Sequence, residues 1–481
     1  MRKRIIHILG TASGVGKSTI TTALCRHFSN LGVSVAPFKA VNMSRNSIAT
    51  KQGGEIARAQ WLQAVAARTT PRDEMNPILL KPETDDSSML IVNGVTVDSM
   101  SVSKYSKYLK KNGQKIVSNA LRTLLEEYEL IIAEGMGAAA EINMEQDLAN
   151  RFPKEFAKEK AAFIVGDIDR GGVFAALYGS KKLYPDEESI SGLIVNKVRS
   201  NTKLIKSGID KLSRLTESKV VASVPYIEDI SLPKEDILDY ALIHSNNKIA
   251  VIRYPGMENY SDIDSLIYSA NGVNYIYGSN ANELNDASLI ILPGSKKVIK
   301  DLEYIRRFGI DLMLYNAAAR GAFVIGICGG YQMLGKIIND PKCVESRKKF
   351  FKGLGLLDSD TCYSDKKVVR LTEYKFTNKF FYGTIASKGY EIRYGNTKSN
   401  SGPCANLLKD NSSEGSLSEN GKVIGTNIHG IMENSDLLRY ISLNTGIKFD
   451  KSEMLENKIE DITKRVMASF DLRTFYELIG M

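Results

Sequence analysis

Histidine, cysteine and tryptophan are scarce in this chain, at four, five and one among 481 residues. Five scattered cysteines in so long a chain make no disulfide framework, and a reducing, cytoplasmic setting is expected. No cysteine or histidine cluster has the spacing of a zinc site. Long apolar runs are missing too, and none approaches the ~18 residues that a membrane-spanning helix needs. The basic start Met1-Arg2-Lys3-Arg4 is like the head of a signal peptide. Its apolar part is only Ile5 to Leu9 and runs into a glycine-rich loop, so it reads as a first strand. No block of basic residues interleaved with aromatics occurs, which argues against a nucleic-acid partner.

In bulk the chain is ordinary. Of its residues 43% are hydrophobic and 25% charged, as in globular proteins, and the length suits two or three domains. The net charge of +9 suits a polyanionic ligand, such as a nucleotide or a polycarboxylate, or else a lysine-rich solvated surface.

Ile5 to Leu9 leads into Gly10-Thr11-Ala12-Ser13-Gly14-Val15-Gly16-Lys17-Ser18-Thr19 and then a helical pattern. Strand, glycine-rich loop and helix make a phosphate cradle lined by backbone N–H groups, with Thr11, Gly14, Gly16, Lys17, Ser18 and Thr19 as candidates. Lys17 is placed to reach the β- and γ-phosphates, and the Ser18 hydroxyl to bind Mg2+. Five residues separate Gly10 from Gly16, one more than the usual spacing. A second strand, Val33 to Phe38, ends in a polar loop with Lys39, Asn42 and Asn46. Ligands of open parallel sheets bind at that edge, so the three are candidates for phosphate or substrate carboxylate; the alternative is a solvated loop. Gly53 to Arg68 reads as a helix.

Tyr128 to Ala133 is a buried strand ending in Glu134, which is placed for a Mg2+ contact or for a helix cap. Ala162 to Gly166 ends in Asp167-Ile168-Asp169-Arg170, two acids and an arginine suited to metal and carboxylate handling or to a local ion pair. Gly192 to Val195 ends in Asn196, whose amide could read a nucleotide base. Val220 to Pro225 closes the set. Strands alternating with helices imply a doubly wound parallel sheet, class α/β, over residues 1–228. Residues 229–248 are polar and irregular and read as a linker. A second α/β domain is expected over 249–440, with 441–481 as a C-terminal helical segment. Residues 339–380 are lysine-rich without clean periodicity, which fits loops and edge strands covering a site.

The second domain is organised around Gly326-Ile327-Cys328-Gly329-Gly330-Tyr331-Gln332. An apolar run, Ala322 to Ile325, precedes it and a helix start follows. Strand, glycine-flanked turn and helix form a nucleophile elbow with Cys328 at the apex, near a helix N-terminus, where a thiolate is favoured. Such a nucleophile needs an acid/base partner. His7 and His27 fall in the first domain and His244 in the linker, which leaves His429, delivered at the end of a strand read over Asn420 to Gly430. The N–H of Gly329 and one from the Gly294-Ser295 loop are the oxyanion-hole candidates.

A nucleotide loop and a Cys–His acyl-transfer site in one chain suggest a coupled reaction, because joining ammonia to a carboxylate is uphill until ATP activates the acid. Gly326 to Gly335 with His429 resembles class I glutamine amidotransferases, and Gly10 to Thr19 resembles dethiobiotin synthetase. In this order the pair resembles the cobalamin-pathway amidases. Within them, Pro37-Phe38-Lys39-Ala40 with Asn42-Met43-Ser44, Met75 to Pro82, Asp167 to Ala175, Leu292 to Lys296 and Lys388-Gly389-Tyr390-Glu391-Ile392 resemble the cobyric acid synthase family over nearly the whole chain. The resemblance implies an N-terminal P-loop synthetase domain like dethiobiotin synthetase and a C-terminal class I amidotransferase domain. It implies ATP and Mg2+, glutamine as nitrogen donor, and a corrinoid substrate whose cobalt is not the protein's. The reaction implied is amidation of the b, d, e and g carboxylates of adenosylcobyrinic acid a,c-diamide. No resident metal beyond Mg2+ is implied, and the oligomeric state is left open.

Two positions depart from the pattern. Class I amidotransferases usually carry a Glu two residues after the histidine; here it is Ile431, which predicts a Cys–His dyad. Gln52 stands where an Asp able to bind Mg2+ is expected, leaving Glu55 or Asp167 as substitutes. Two other readings stay open: the same chemistry on an earlier carboxylate pair, as in cobyrinic acid a,c-diamide synthesis, and a non-enzymatic P-loop nucleotide switch.

Overall fold

Apolar runs that end in polar residues become parallel strands, because a sheet covered by helices on both faces buries its whole length and leaves only the strand ends to water. The computed structural model describes residues 4–84, 86–144, 147–151, 153–199, 203–228, 248–270, 272–346, 348–376, 385–450 and 455–481. The chain divides into two units, one of Met1–Ser44, Gly54–Glu235 and Met454–Met481, the other of Arg45–Gly53 and Asp236–Glu453. Apart from Lys248, the expected linker lies outside the described residues.

The first unit is built on a parallel six-stranded sheet in the order Lys219–Pro225, Ile190–Val198, Lys160–Asp167, Ile5–Gly10, Leu130–Glu134, Val35–Phe38. The order reverses at Ile5–Gly10, so the glycine-rich loop leaves the sheet at a topological switch point, where α/β sheets bind ligands. A smaller sheet, Val41–Met43, Ile78–Thr84, Ser87–Val92 and Val95–Ser101, follows the Lys39 loop. The helix expected over Gly53–Arg68 is shorter, Arg58–Ala66, and a strand occupies Glu55–Ala57.

The second unit has a sheet ordered Asn274–Ile276, Ile249–Ile252, Leu289–Leu292, Phe323–Ile327, Val423–Thr426, Ser416–Leu417, parallel except for the last pair. Much of the stretch read as loops and edge strands is instead a long strand, Ser359–Phe376, antiparallel to Ser387–Ser399. Residues 377–384 lie outside the described residues.

The region expected to be one C-terminal helical segment divides. The helix Ser435–Thr445 belongs to the second unit, whereas Leu455–Met467 and Leu472–Ile479 belong to the first. Their apolar faces decide this. Ile459, Ile462, Val466, Phe475 and Ile479 are buried in the same core as Ile6, Phe28 and Phe163. The Phe475 ring lies 5.2 Å from Phe163 and 6.5 Å from Phe28, in tilted aromatic packing. Arg26, itself buried, anchors the first of these helices through Glu456 at 2.6 Å.

Candidate active site

In the first unit the phosphate loop is held open by left-handed glycines, Gly14 at φ +73° and Gly16 at φ +102°, a conformation that side chains with Cβ rarely adopt. Lys17 opens the helix Lys17–Asn30 and curls back over the loop, its Nζ donating to Ala12 O at 2.9 Å and Gly137 O at 2.8 Å. Thr11 N donates to Val165 O at 2.9 Å, and Thr19 stands half-buried in the first helical turn.

Glu134 is buried at the end of its strand and gathers three partners. Ser18 Oγ donates to Oε1 at 2.9 Å, Lys39 Nζ to the same oxygen at 2.8 Å, and Gln63 Nε2 to Oε2 at 2.5 Å. Burial would raise this carboxyl, but Lys39, with Lys17 and Gln63 behind it, outweighs burial and holds it below the usual range. The network continues through Gln60, which contacts Gln63 at 3.4 Å and accepts from Asn42 Nδ2 at 2.8 Å. Lys39, Asn42, Ser18 and Glu134 therefore join one buried polar array. Gln60 and Gln63, which the sequence reading did not single out as site residues, complete it.

Asn196 is tied to the loop backbone, its Nδ2 donating to Val15 O at 2.8 Å and filling the space where a Cβ on Gly16 would stand. Asp167 pairs with Lys197 at 2.7 Å and Arg170 at 3.6 Å. Asp169 pairs with Arg199 at 2.5 Å, and Arg199 lies over the Tyr226 ring at 3.7 Å. Glu55, the other stand-in for a missing metal ligand, is paired with buried Lys81 at 2.9 Å. Among the described residues no group of three or more His, Cys, Asp or Glu could hold a metal ion. The hard oxygens of Ser18 and Glu134, 2.9 Å apart, suit Mg2+, which keeps waters and phosphate oxygens for most of its shell.

In the second unit Cys328 stands between the strand Phe323–Ile327 and the short helix Gly329–Leu334, at φ +52° and ψ −108°. Such a backbone costs roughly 1–3 kcal/mol in a non-glycine residue and persists only where its surroundings enforce it. Two glycines make the turn possible. A Cβ on Gly330 would stand 2.0 Å from Leu292 O, and one on Gly329 would stand 2.6 Å from Ser295 N. The second approach brings Gly329 against the backbone of Ser295. Ser295 is fixed by its hydroxyl, which donates to Asp301 at 2.5 Å. Cys328 Sγ contacts Ile392 O at 3.5 Å.

His429 is fully buried. Its backbone pairs with Tyr390 (N to O 2.8 Å, and 3.2 Å in return), and the Tyr390 ring stacks on the imidazole at 4.9 Å and 15°. Ile431 predicts a dyad, yet the structure supplies an acid from elsewhere. Asp262 Oδ2 lies 3.5 Å from His429 Nδ1, and its other oxygen accepts from Gly430 N at 2.9 Å and Met432 N at 3.2 Å. Burial would depress the imidazole, but Asp262 and Cys328 outweigh it and raise His429 to about 9. Asp262 opens a helix 168 positions before Gly430, and no motif in the sequence marks it. Of the other histidines, His7 contacts Ala149 O and His27 contacts Tyr476 within the first unit, and His244 lies outside the described residues.

Asn46 lies in the part of the N-terminal chain that belongs to the second unit, where its Oδ1 accepts from Tyr260 N at 3.3 Å.

A cysteine at an elbow, a buried histidine with an acid beside it and a neighbouring glycine-rich backbone are the parts that glutamine hydrolysis needs. With a phosphate loop in the same chain they define a glutamine-using, amide-forming ligase. Residues 248–437 match the model of the CobB/CobQ-like glutamine amidotransferase domain, and residues 6–238 that of the CobQ/CobB/MinD/ParA nucleotide binding domain. The chain is 45% identical to a probable cobyric acid synthase of Picrophilus torridus over 99% of both chains. It is 43% identical to that of Thermoplasma acidophilum, over 98% of this chain and 99% of the other. It is 38% identical to a cobyric acid synthase of Dehalococcoides mccartyi over 99% of each. The chain belongs to the cobyric acid synthase family. Its reaction is an amidation in cobalamin biosynthesis.

Proposed function

We propose that this chain amidates the b, d, e and g carboxylates of adenosylcobyrinic acid a,c-diamide, using ATP and glutamine, to give adenosylcobyric acid. The observation that carries this reading is the full-length similarity to cobyric acid synthases in a chain that keeps both reactive centres.

In the second unit the Cys328 thiolate attacks the amide carbon of glutamine. The oxyanion that forms is met by the N–H groups of Gly329 and Ser295. His429, held by Asp262, gives its proton to the departing ammonia, and water then cleaves the thioester to glutamate. In the first unit the loop amides and Lys17 hold the β- and γ-phosphates, and a substrate carboxylate takes the γ-phosphoryl group. Catalysis there is mostly positioning and charge neutralisation. Ser18 and Glu134 would hold Mg2+, which supplies part of that neutralisation. In this reading Lys39, Asn42, Asp169 and Arg170 serve the acceptor carboxylate. Ammonia attacks the acyl phosphate, and phosphate leaves with the oxygen of the former carboxylate.

The test is mass spectrometry of the corrinoid after incubation with ATP, Mg2+, glutamine and adenosylcobyrinic acid a,c-diamide. Each conversion replaces a hydroxyl by an amino group, so the mass counts amides. Four amides with glutamate released are expected. Glutamine hydrolysis with an unchanged corrinoid would refute the acceptor.

A further inference from the structure

The stretch Arg45–Gly53 leaves the chain of the first unit and is packed within the second. Its contacts there are specific. Ser47 N and Oγ both donate to Asn259 Oδ1, at 3.1 and 3.2 Å, and Asn46 Oδ1 accepts from Tyr260 N at 3.3 Å. Asn46 and Ser47 are each 1% exposed, so these bonds form away from water, where losing one partner leaves a buried polar group unsatisfied. Asn259 is left-handed at φ +50°, a backbone that asparagine tolerates but that its surroundings must hold in place.

The residues held this way lead directly to the acid behind the catalytic base. Tyr260 caps the helix Ser261–Ser269. Ser261 Oγ is 2.9 Å from the hydroxyl of Tyr390, whose ring stacks on His429. Asp262, the next residue, pairs with His429. The start of this helix thus sets both groups that orient the imidazole. Its own position is fixed from outside by two side chains of residues 45–53.

We infer that Asn46 and Ser47 are positioning residues of the glutaminase: they fix the Asn259–Asp262 turn, and through it the Asp262 and Tyr390 contacts that orient His429. The inference rests on the reading of Cys328 and His429 as a glutamine-hydrolysing pair. It moves Asn46 from the acceptor-binding role expected of a polar loop at a strand end to the second reaction. It also gives a covalent route from the loop of Lys39 and Asn42, a few residues upstream, to the base that releases ammonia.

The test uses the full chain and two assays, glutamine hydrolysis and amidation driven by added ammonium. Asn46→Ala is expected to lower kcat for glutamine hydrolysis by ~10-fold or more, because small misplacements of a reacting group are costly, with KM for glutamine unchanged. Ammonium-driven amidation should keep its wild-type rate. Ser47→Ala removes only the hydroxyl contact and should show a smaller loss of the same kind; it carries the test if Asn46→Ala does not fold. Wild-type kcat in Ser47→Ala and in any Asn46→Ala that folds, with hydrolysis intact in the parent, overturns the inference and leaves the glutaminase reading standing. Loss of the ammonium-driven reaction with hydrolysis intact returns Asn46 to the acceptor and also overturns it. Absence of hydrolysis in the parent protein refutes the glutaminase reading itself.

Discussion

The two reactive centres are held in different ways. In the first unit a single buried carboxylate, Glu134, is tied by short bonds of 2.5–2.9 Å to Lys39, Ser18 and Gln63. Lys39 compensates its charge. In the second unit His429 and Asp262 are 3.5 Å apart, and Cys328 sits on a strained turn. The first centre is organised by charge compensation and the second by orientation. A site that handles phosphate needs fixed charges around it, whereas one that forms and breaks a thioester needs its atoms aligned.

Substitutions that separate the two activities test this contrast most sharply. Cys328→Ser should lower glutamine-driven amidation by ~10⁴-fold or more and spare the ammonium-driven reaction, as measured by product mass with either nitrogen source. Lys17→Ala should lower both by ~10³-fold, since neither nitrogen source replaces carboxylate activation. Equal losses in the two variants would erase the division between the units. Asp262→Asn should lower kcat for glutamine hydrolysis by ~10²-fold and leave the ammonium reaction alone. A silent Asp262→Asn would return the site to a dyad.

Stability offers two finer tests. Phe475 is fully buried in the first unit, so Phe475→Ala should cost ~3–5 kcal/mol there. Ammonium-driven activity should then be lost at a lower temperature than glutamine hydrolysis. Loss of both at the same temperature would show that the units do not unfold separately. The smallest effect concerns His429, whose pKa is raised in the folded chain to about 9, above its unfolded value of about 6.5. A raised pKa means that the folded state binds the proton more tightly. The resulting stability is fully present below about pH 6.5 and is lost as pH rises through about 9. Denaturant unfolding of the second unit across that window should show the decline, and Asp262→Asn should flatten it.

Much of both sites was legible in sequence because their core pieces are local. A strand that ends in Gly10 to Thr19, or in Gly326 to Gly330, carries its own turn, and the helix that follows is fixed by the same few residues. Glu134 and His429 were legible as strand ends. Gln63 was not, since a glutamine within an alanine-rich helix has no signature until the helix is docked. Asn196 was legible as a strand end, but the bond from its amide to the loop backbone was not.

The sequence alone determined the class of chemistry: a phosphate loop and a cysteine elbow are conformations that a few consecutive residues can enforce, and four histidines left one candidate base. The tertiary structure alone decided which acid stands behind that base, which unit owns Asn46 and Ser47, and where the last two helices pack. Those choices are made by burial and by hydrogen bonds between residues far apart in the chain. Asp262 meets His429, and Phe475 meets Phe28, only because folding brings their elements together. No short window of sequence records such a meeting.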